Sequence, residues 1–307
     1  MVDEYTYDRA WSTYKRGQIK QAIELIKQVL AEDPTDASSH ALLALCLLQE
    51  RRIYAAEYEI QLALNEDTET SLFYVVLAQI NVLKNKPLRA LELCDEALRL
   101  NPEYVEALLL KADIYSIIDK NTRALHYLNQ AIQIEPNNLD IKLAFGNYYL
   151  TTGENEKAFK YAQDVMRQNP QNIDCNILMG KIKLKNGDTQ EALNLAKYAI
   201  IQNPDSEQAL KLFSDIKTRE NWFLGLWWRF NSKMSTLSGT KASIVLISMF
   251  LFFNLLSQVL EDLGFVSLSK IFSYGWLIIV LYSWIGLPLY KKKLNEELTK
   301  FRFNDDY

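Results

Sequence analysis

Side chains that could do chemistry are few and scattered in this chain of 307 residues. The two histidines, His40 and His126, are too few for an imidazole metal cluster. Cys46, Cys94 and Cys175 stand far apart, each inside a helical pattern. A disulfide framework or zinc site needs pairs or clusters, so buried, reduced thiols are expected. Gly239-Thr240-Lys241 ends like a phosphate loop, but the earlier glycine is missing and an uncharged run follows. There is no nucleophile elbow and no His-Glu metal motif. The Asp and Glu residues fit solvated helix faces. Catalysis, a metal ion and a cofactor are therefore not expected, which leaves recognition of other molecules.

The elements that would position a recognition surface repeat every 34 residues. Alanine recurs at Ala22, Ala56, Ala90, Ala124, Ala158 and Ala192, and a second small-residue column runs Ala10, Ala44, Ala78, Ala112, Gly146, Gly180. Together they put small side chains on both helices of each unit, so that the pair can approach closely. A turn column runs Gly17, Arg51, Asn85, Asp119, Gly153, Gly187; all but Arg51 are types that tolerate left-handed backbone. Prolines at Pro34, Pro102, Pro136, Pro170 and Pro204 disfavour helix before them, with Thr68 in the vacant place. Next come Asp36, Thr70, Asn138, Asn172 and Ser206, suited to cap the following helix, with Tyr104 breaking the column. A period of 34 with two helices per unit predicts an all-α helical solenoid.

These columns resemble the tetratricopeptide repeat (TPR) family: a small residue and downstream Gly on helix A, Ala on helix B, then Pro. Another family column, the later small residue of helix B, is matched by Val29, Ala63, Ala97, Ala131, Val165 and Ala199. The large aromatic of early helix A is weak, at Thr6, His40, Tyr74, Leu108, Lys142 and Asn176. The resemblance implies six tandem repeats over residues 3–206 and a closing helix over 207–220. Family geometry then places certain helix A positions on the concave face. These include Tyr7, Trp11 and Tyr14; Ala41, Leu45 and Leu48; Val75, Gln79 and Val82; then Asn147, Lys181 and Lys185. The resemblance implies a protein-binding groove there, apolar and aromatic at its N-terminal end and mixed toward Lys181 and Lys185. Ordinary packing between repeats is the competing reading of the same stripe. Relatives that hold acidic chaperone tails use a Lys, Asn and Arg clamp; Tyr7, Trp11, Ala41 and Leu45 stand at its early positions, so that activity is not expected.

Residues 221–240 open with NWFLGLWWRF, whose Trp222, Phe223, Trp227, Trp228 and Phe230 suit a membrane interface. Two uncharged runs follow, Ala242–Leu260 and Ile271–Tyr290, joined by a loop Glu261–Lys270. At ~1.5 Å per residue each reaches roughly 28–30 Å, a bilayer core, so residues 241–290 are expected to form a two-helix transmembrane hairpin. Asn254, Ser257 and Gln258 share one face of the first span, where they would glue the hairpin or dock another membrane protein. Arg229, Lys233 and Lys241 before the first span, and Lys291, Lys292 and Lys293 after the second, outweigh Lys270 in the loop. Both termini, including the basic tail 291–307, are therefore expected in the cytosol. The N-terminus carries no secretory signal, and a bacterial inner membrane is favoured over an organelle membrane.

The formal charge of −4 is split: nine Lys/Arg against six Asp/Glu give residues 222–307 +3, leaving −7 on the rest. An acidic repeat region argues against nucleic acid. Three readings stand: a membrane-anchored adaptor or scaffold binding proteins through its groove; an accessory subunit of a larger secretion, insertion or assembly machine, its hairpin packed on other membrane subunits; and, without any motif in its favour, an enzyme regulated through its repeats.

Overall fold

Each of six helix pairs turns on one residue with positive φ: Gly17 (77°), Arg51 (60°), Asn85 (57°), Asp119 (60°), Gly153 (90°) and Gly187 (94°). Arg51, the exception by residue type, is no exception in conformation. The hydrogen bonds of the helix end impose it. Arg51 N–H donates to Leu48 O (3.0 Å) and Arg52 N–H to Leu47 O (2.9 Å), just as Asn85 donates to Val82 O (2.9 Å) and Lys86 to Asn81 O (2.8 Å). Left-handed backbone costs a β-carbon-bearing residue about 1–2 kcal/mol. Arg51→Gly is therefore expected to raise stability by about 0.5–1 kcal/mol, after the larger unfolded-state entropy of glycine is subtracted. Chemical denaturation followed by circular dichroism measures this; an unchanged or lower midpoint would contradict it.

The computed structural model describes residues 2–204, 206–220, 239–274 and 296, with regular structure that is helical throughout those residues. Two compact units divide the chain, Met1–Gln168 and Asn169–Tyr307. In the first, five A/B pairs follow one another: α1 (Val2–Lys15) with α2 (Ile19–Glu32), α3 (Ala37–Gln49) with α4 (Ile53–Glu66), α5 (Ser71–Leu83) with α6 (Pro87–Leu100), α7 (Val105–Ile117) with α8 (Asn121–Ile134), and α9 (Leu139–Thr152) with α10 (Asn155–Gln168). Each A helix packs on its own B helix, α1, α3, α5 and α7 also pack on the next A helix, and each of α2, α4, α6 and α8 meets the A helix that follows it. The A helices thus form one continuous layer, with each B helix packed against it.

The small-residue columns sit where the helices press together. Ala22, Ala56, Ala90, Ala124 and Ala158 are fully buried, as are Ala10, Ala44 and Ala78. Larger side chains fill the remaining space, led by Phe73, Ile26, Leu42, Ile60, Ile80 and Ile114. The capping column works at Asp36, which accepts from Ser39 N–H, and at Asn138, which accepts from Asp140 and Ile141 N–H. Thr70 does not cap: its hydroxyl donates to Asp67 Oδ2 at 2.5 Å. In the first three repeats the residue before the proline position adds a tie not expected from the proline pattern. Asp33 Oδ1 accepts from Thr35 N–H (2.9 Å), Asp67 Oδ1 from Glu69 N–H (2.7 Å) and Asn101 Oδ1 from Glu103 N–H (3.1 Å). This side-chain turn holds the bend at Thr68, where no proline is present.

The weak aromatic column also has a structural purpose. His40 Nε2 lies 3.0 Å from Pro34 O, and Tyr74 Oη donates to Thr68 O at 3.1 Å. In the second unit Asn176 Nδ2 donates to Pro170 O at 3.1 Å. Different side chains thus bind the same turn carbonyl six residues back.

The second unit contains α11 (Ile173–Asn186) and α12 (Thr189–Gln202), the sixth pair, with α13 (Glu207–Glu220) closing over both. Asn172 caps α11 through Cys175 N–H, and Ser206 Oγ accepts from Ala209 N–H at 3.4 Å. Gly180 is buried, and a β-carbon there would come within 2.6 Å of Leu212 Cδ2. Any larger residue there would have to displace the Leu212 side chain of the closing helix.

Helix α14 runs Gly239–Asp262, past the expected end of the first span at Leu260. The chain turns at Gly264 (φ 84°) and is helical again from 266 to 274. The ten-residue loop expected over Glu261–Lys270 is instead a tight turn, because Glu261 and Asp262 continue the helix until a left-handed glycine ends it. The transmembrane hairpin is not established: among the described residues no helix is long and apolar enough to cross a membrane. The side chains of 239–243, 245 and 246 lie outside the described residues. So do residues 275–290 of the second span, the aromatic segment at Trp222, Phe223, Trp227, Trp228 and Phe230, and the basic tail 291–307 apart from residue 296.

Candidate protein-binding face

The concave-face positions form columns on the A helices of the first unit, and their exposure differs column by column. Ala41, Leu45 and Val75 are 1%, 9% and 2% exposed, closed in by direct contact between successive A helices. They are floor rather than open groove. Tyr7, Trp11, Tyr14, Leu48 and Val82 remain half-buried and pack on the same core. The apolar stripe is thus interrupted: its aromatic end is accessible, while Leu45 and Val75 belong to the packing between repeats.

Trp11 and Tyr14 lie on one face of α1 with ring centroids 5.8 Å apart, and Lys15 Nζ stands 5.5 Å from the Trp11 ring centre. Burial, with the Asp36 charge nearby, raises the Tyr7 hydroxyl pKa above its ordinary value, while a hydrogen bond with Ser38 opposes the shift. Burial does the same to Tyr14, opposed by a hydrogen bond with Gln49. These phenols stay neutral and supply hydrogen bonds over an apolar body.

Further along, Gln79 is half-buried and Asn147 exposed, and between them in the same column stands Asp113. Asp113 has an open surface, yet burial alone pushes its carboxyl up to about 6. Lys181 and Lys185 belong to the second unit. Lys181 donates to Gln208 of α13 at 3.1 Å, and burial, aided by Lys211, lowers its pKa. Lys185 is exposed. The closing helix thus engages Lys181 where a ligand was expected.

Among the polar trio of α14, Ser257 is buried and shares hydrogen bonds with Ser269 O (3.0 Å) and Oγ (3.2 Å). Asn254 and Gln258 are exposed. Phe253 and Phe272, 6.1 Å apart, complete this contact across the turn.

The remaining reactive types have structural surroundings. Cys46, Cys94 and Cys175 are buried thiols, pushed by burial to about 12, 12 and 11. His40 Nδ1 faces Glu59 Oε2 at 2.7 Å while its other nitrogen faces Pro34 O, so both ring nitrogens are engaged. Among the described residues no group of three His, Cys, Asp or Glu side chains is placed to hold a metal. Sequence reasoning passed over a depression of about 540 Å³ on α4, lined by Tyr54, Glu57, Tyr58 and Gln61. Tyr54 and Tyr58 are 79% and 64% exposed there, a pair at i, i+4 on one B helix that could have signalled it.

Comparison with known proteins accords with this architecture. Two sequence models described as tetratricopeptide repeat match residues 51–199 and 14–80, together more than half of the chain. No curated protein matches it. Among solved structures it is similar to a thermophilic TPR protein of Thermus thermophilus, at TM-score 0.55 and 21% identity over 59% of this chain and 99% of that one. It is also similar to PilW, a widely conserved type IV pilus biogenesis factor, at TM-score 0.51 and 18% identity over 69% and 98%. The Cut9–Hcn1 structure of the APC/C gives TM-score 0.54 and 12% identity over 69% and 42%. At these identities the likeness is one of fold. The 34-residue columns, the left-handed turns and the family match lead to one assignment: the chain belongs to the tetratricopeptide repeat family.

Proposed function

We propose that this chain is a non-enzymatic adaptor, anchored in a membrane, that holds a protein partner on the A-helix face of its first repeats. The observation that carries the groove is the accessible aromatic cluster Tyr7, Trp11 and Tyr14 at one end of that face. Rigid amphipathic rings of this kind supply much of the binding energy in protein interfaces. Anchoring rests on α14, where Ile244, Ile247, Phe250, Leu251, Phe252, Leu255 and Val259 are all exposed. A helix presenting apolar side chains around so much of its circumference needs lipid or protein over it. The basic flanks of the uncharged runs favour the cytosolic side for the repeats.

A second reading is favoured by Asn254 and Gln258, exposed on α14. Amides in hydrocarbon call for hydrogen-bond partners, which another membrane subunit would supply. PilW, described as a pilus biogenesis factor, shows one process that recruits this fold.

One experiment with two arms tests the adaptor. Trp11→Ala with Leu48→Ser is expected to abolish recovery of the main partner while the chain stays in alkaline-washed membranes. A chain ending at 238 is expected to leave those membranes. Unchanged partner recovery would move the binding site to α14, and retention of the truncated chain would remove the anchor.

A further inference from the structure

The A-helix face of the first unit carries a charge pattern that its apolar stripe conceals. Four columns of this face begin at Glu4, Tyr7, Trp11 and Tyr14, and through repeats one to five they contain no lysine or arginine. They do contain Glu106 and Asp140, both exposed, and Asp113. Ser38, in the first of these columns, bonds Tyr7 of the second, so the columns are neighbours across successive helices.

Among the described residues the Asp113 side chain has no hydrogen bond and no ion pair. Burial alone shifts its carboxyl, and no charged group of α5 or α9 contributes. Glu106 on α7 and Asp140 on α9 are the nearest carboxylates by column. Lys111 of α7, the cation closest in sequence, is buried and already bound to Asp95 of α6, over the Tyr127 ring. An occupant covering Asp113 would strip its carboxylate of water, a cost that a positive partner offsets. At the other end of the face the Trp11 ring already has Lys15 Nζ beside it, and aromatic faces attract further cations.

We propose that the docking segment of the partner is cationic, with a lysine or arginine set against Asp113 between the amides of Gln79 and Asn147. This rests on the groove reading and specifies its ligand. Asp113 is charged above about pH 6 and neutral below it, so the attraction is present at neutral pH and lost on acidification.

The probe is a fluorescein-labelled peptide of alternating alanine and arginine, with an alanine-glutamine peptide of the same length beside it. Both are titrated by anisotropy against the full chain. The arginine peptide is expected to bind, and Asp113→Asn to weaken it by about fivefold, the scale of one partly desolvated ion pair. Glu69→Gln, which alters an exposed carboxylate in the turn before α5, is expected to leave it unchanged. Affinity should fall between about pH 7 and 5 in the native chain and much less in Asp113→Asn. Equal binding of both peptides, abolished by Trp11→Ala, would keep the groove and overturn the cationic partner. Indifference of both to Trp11→Ala would overturn the groove as well. Tighter peptide binding after removal of 291–307 would assign the site to the chain's own lysine-rich tail. Loss of a dimer in Asp113→Asn would assign it to a second copy. Either of these two results overturns the proposal.

Discussion

Phe73→Ala is expected to destabilise the first unit by about 3–5 kcal/mol, the range for removing a buried aromatic ring. Phe73 is 2% exposed and among the largest fully enclosed side chains in the chain. Its column makes the site particular: Tyr5, Ser39, Ala107 and Ile141 occupy the corresponding places in the other four repeats of the unit. Tyr5 is 73% exposed because no earlier repeat covers it, whereas the Ser39 hydroxyl is buried without a hydrogen-bond partner. The third repeat thus concentrates in one ring the volume that others distribute over several side chains. Since each repeat is stabilised mainly by its neighbours, the loss should spread to α3–α8. Chemical denaturation reads the difference, and hydrogen exchange reads its extent. A cost under about 1 kcal/mol would mean that the neighbouring helices collapse into the cavity.

Ala124→Leu tests the opposite error, excess volume, and is expected to cost about 1–3 kcal/mol. Ala124 is fully buried on α8, where that helix packs on α7. Leucine has a good helix propensity, so any loss reports packing rather than the helix itself. Gln130→Leu, on the exposed side of α8, is the control and should stay within about 0.5 kcal/mol. Equal behaviour of the two variants would show that the alanine column does not mark the closest approach of the helices.

The period of 34 was legible because a solenoid repeats its contacts at a fixed sequence offset. Each alanine, turn residue and cap faces the same neighbour one repeat away, so a column in the sequence is a column in space. Helix pairs, alanine columns and working caps at Asp36, Asn138 and Asn172 all followed from that regularity. Residue type misled at Arg51, since backbone hydrogen bonds at the helix end outweigh the strain of one left-handed arginine. It misled again at Thr70, whose hydroxyl has a nearer acceptor in Asp67.

Exposure on the binding face was a tertiary matter. Whether Leu45 and Val75 line a groove or its floor depends on how closely successive A helices approach, and no residue type encodes that distance. The same holds for Lys181, engaged by a closing helix that lies 27 residues further along at Gln208. Asp113 stood in view within its column as one polar residue among several. Only the protein surrounding it, which raises its carboxyl toward neutrality, distinguishes it from the solvated acids elsewhere on the chain. The sequence determined the repeating unit because that unit is held by local and nearest-neighbour contacts. The tertiary structure decided which side chains face solvent, because that depends on how closely neighbouring helices approach one another.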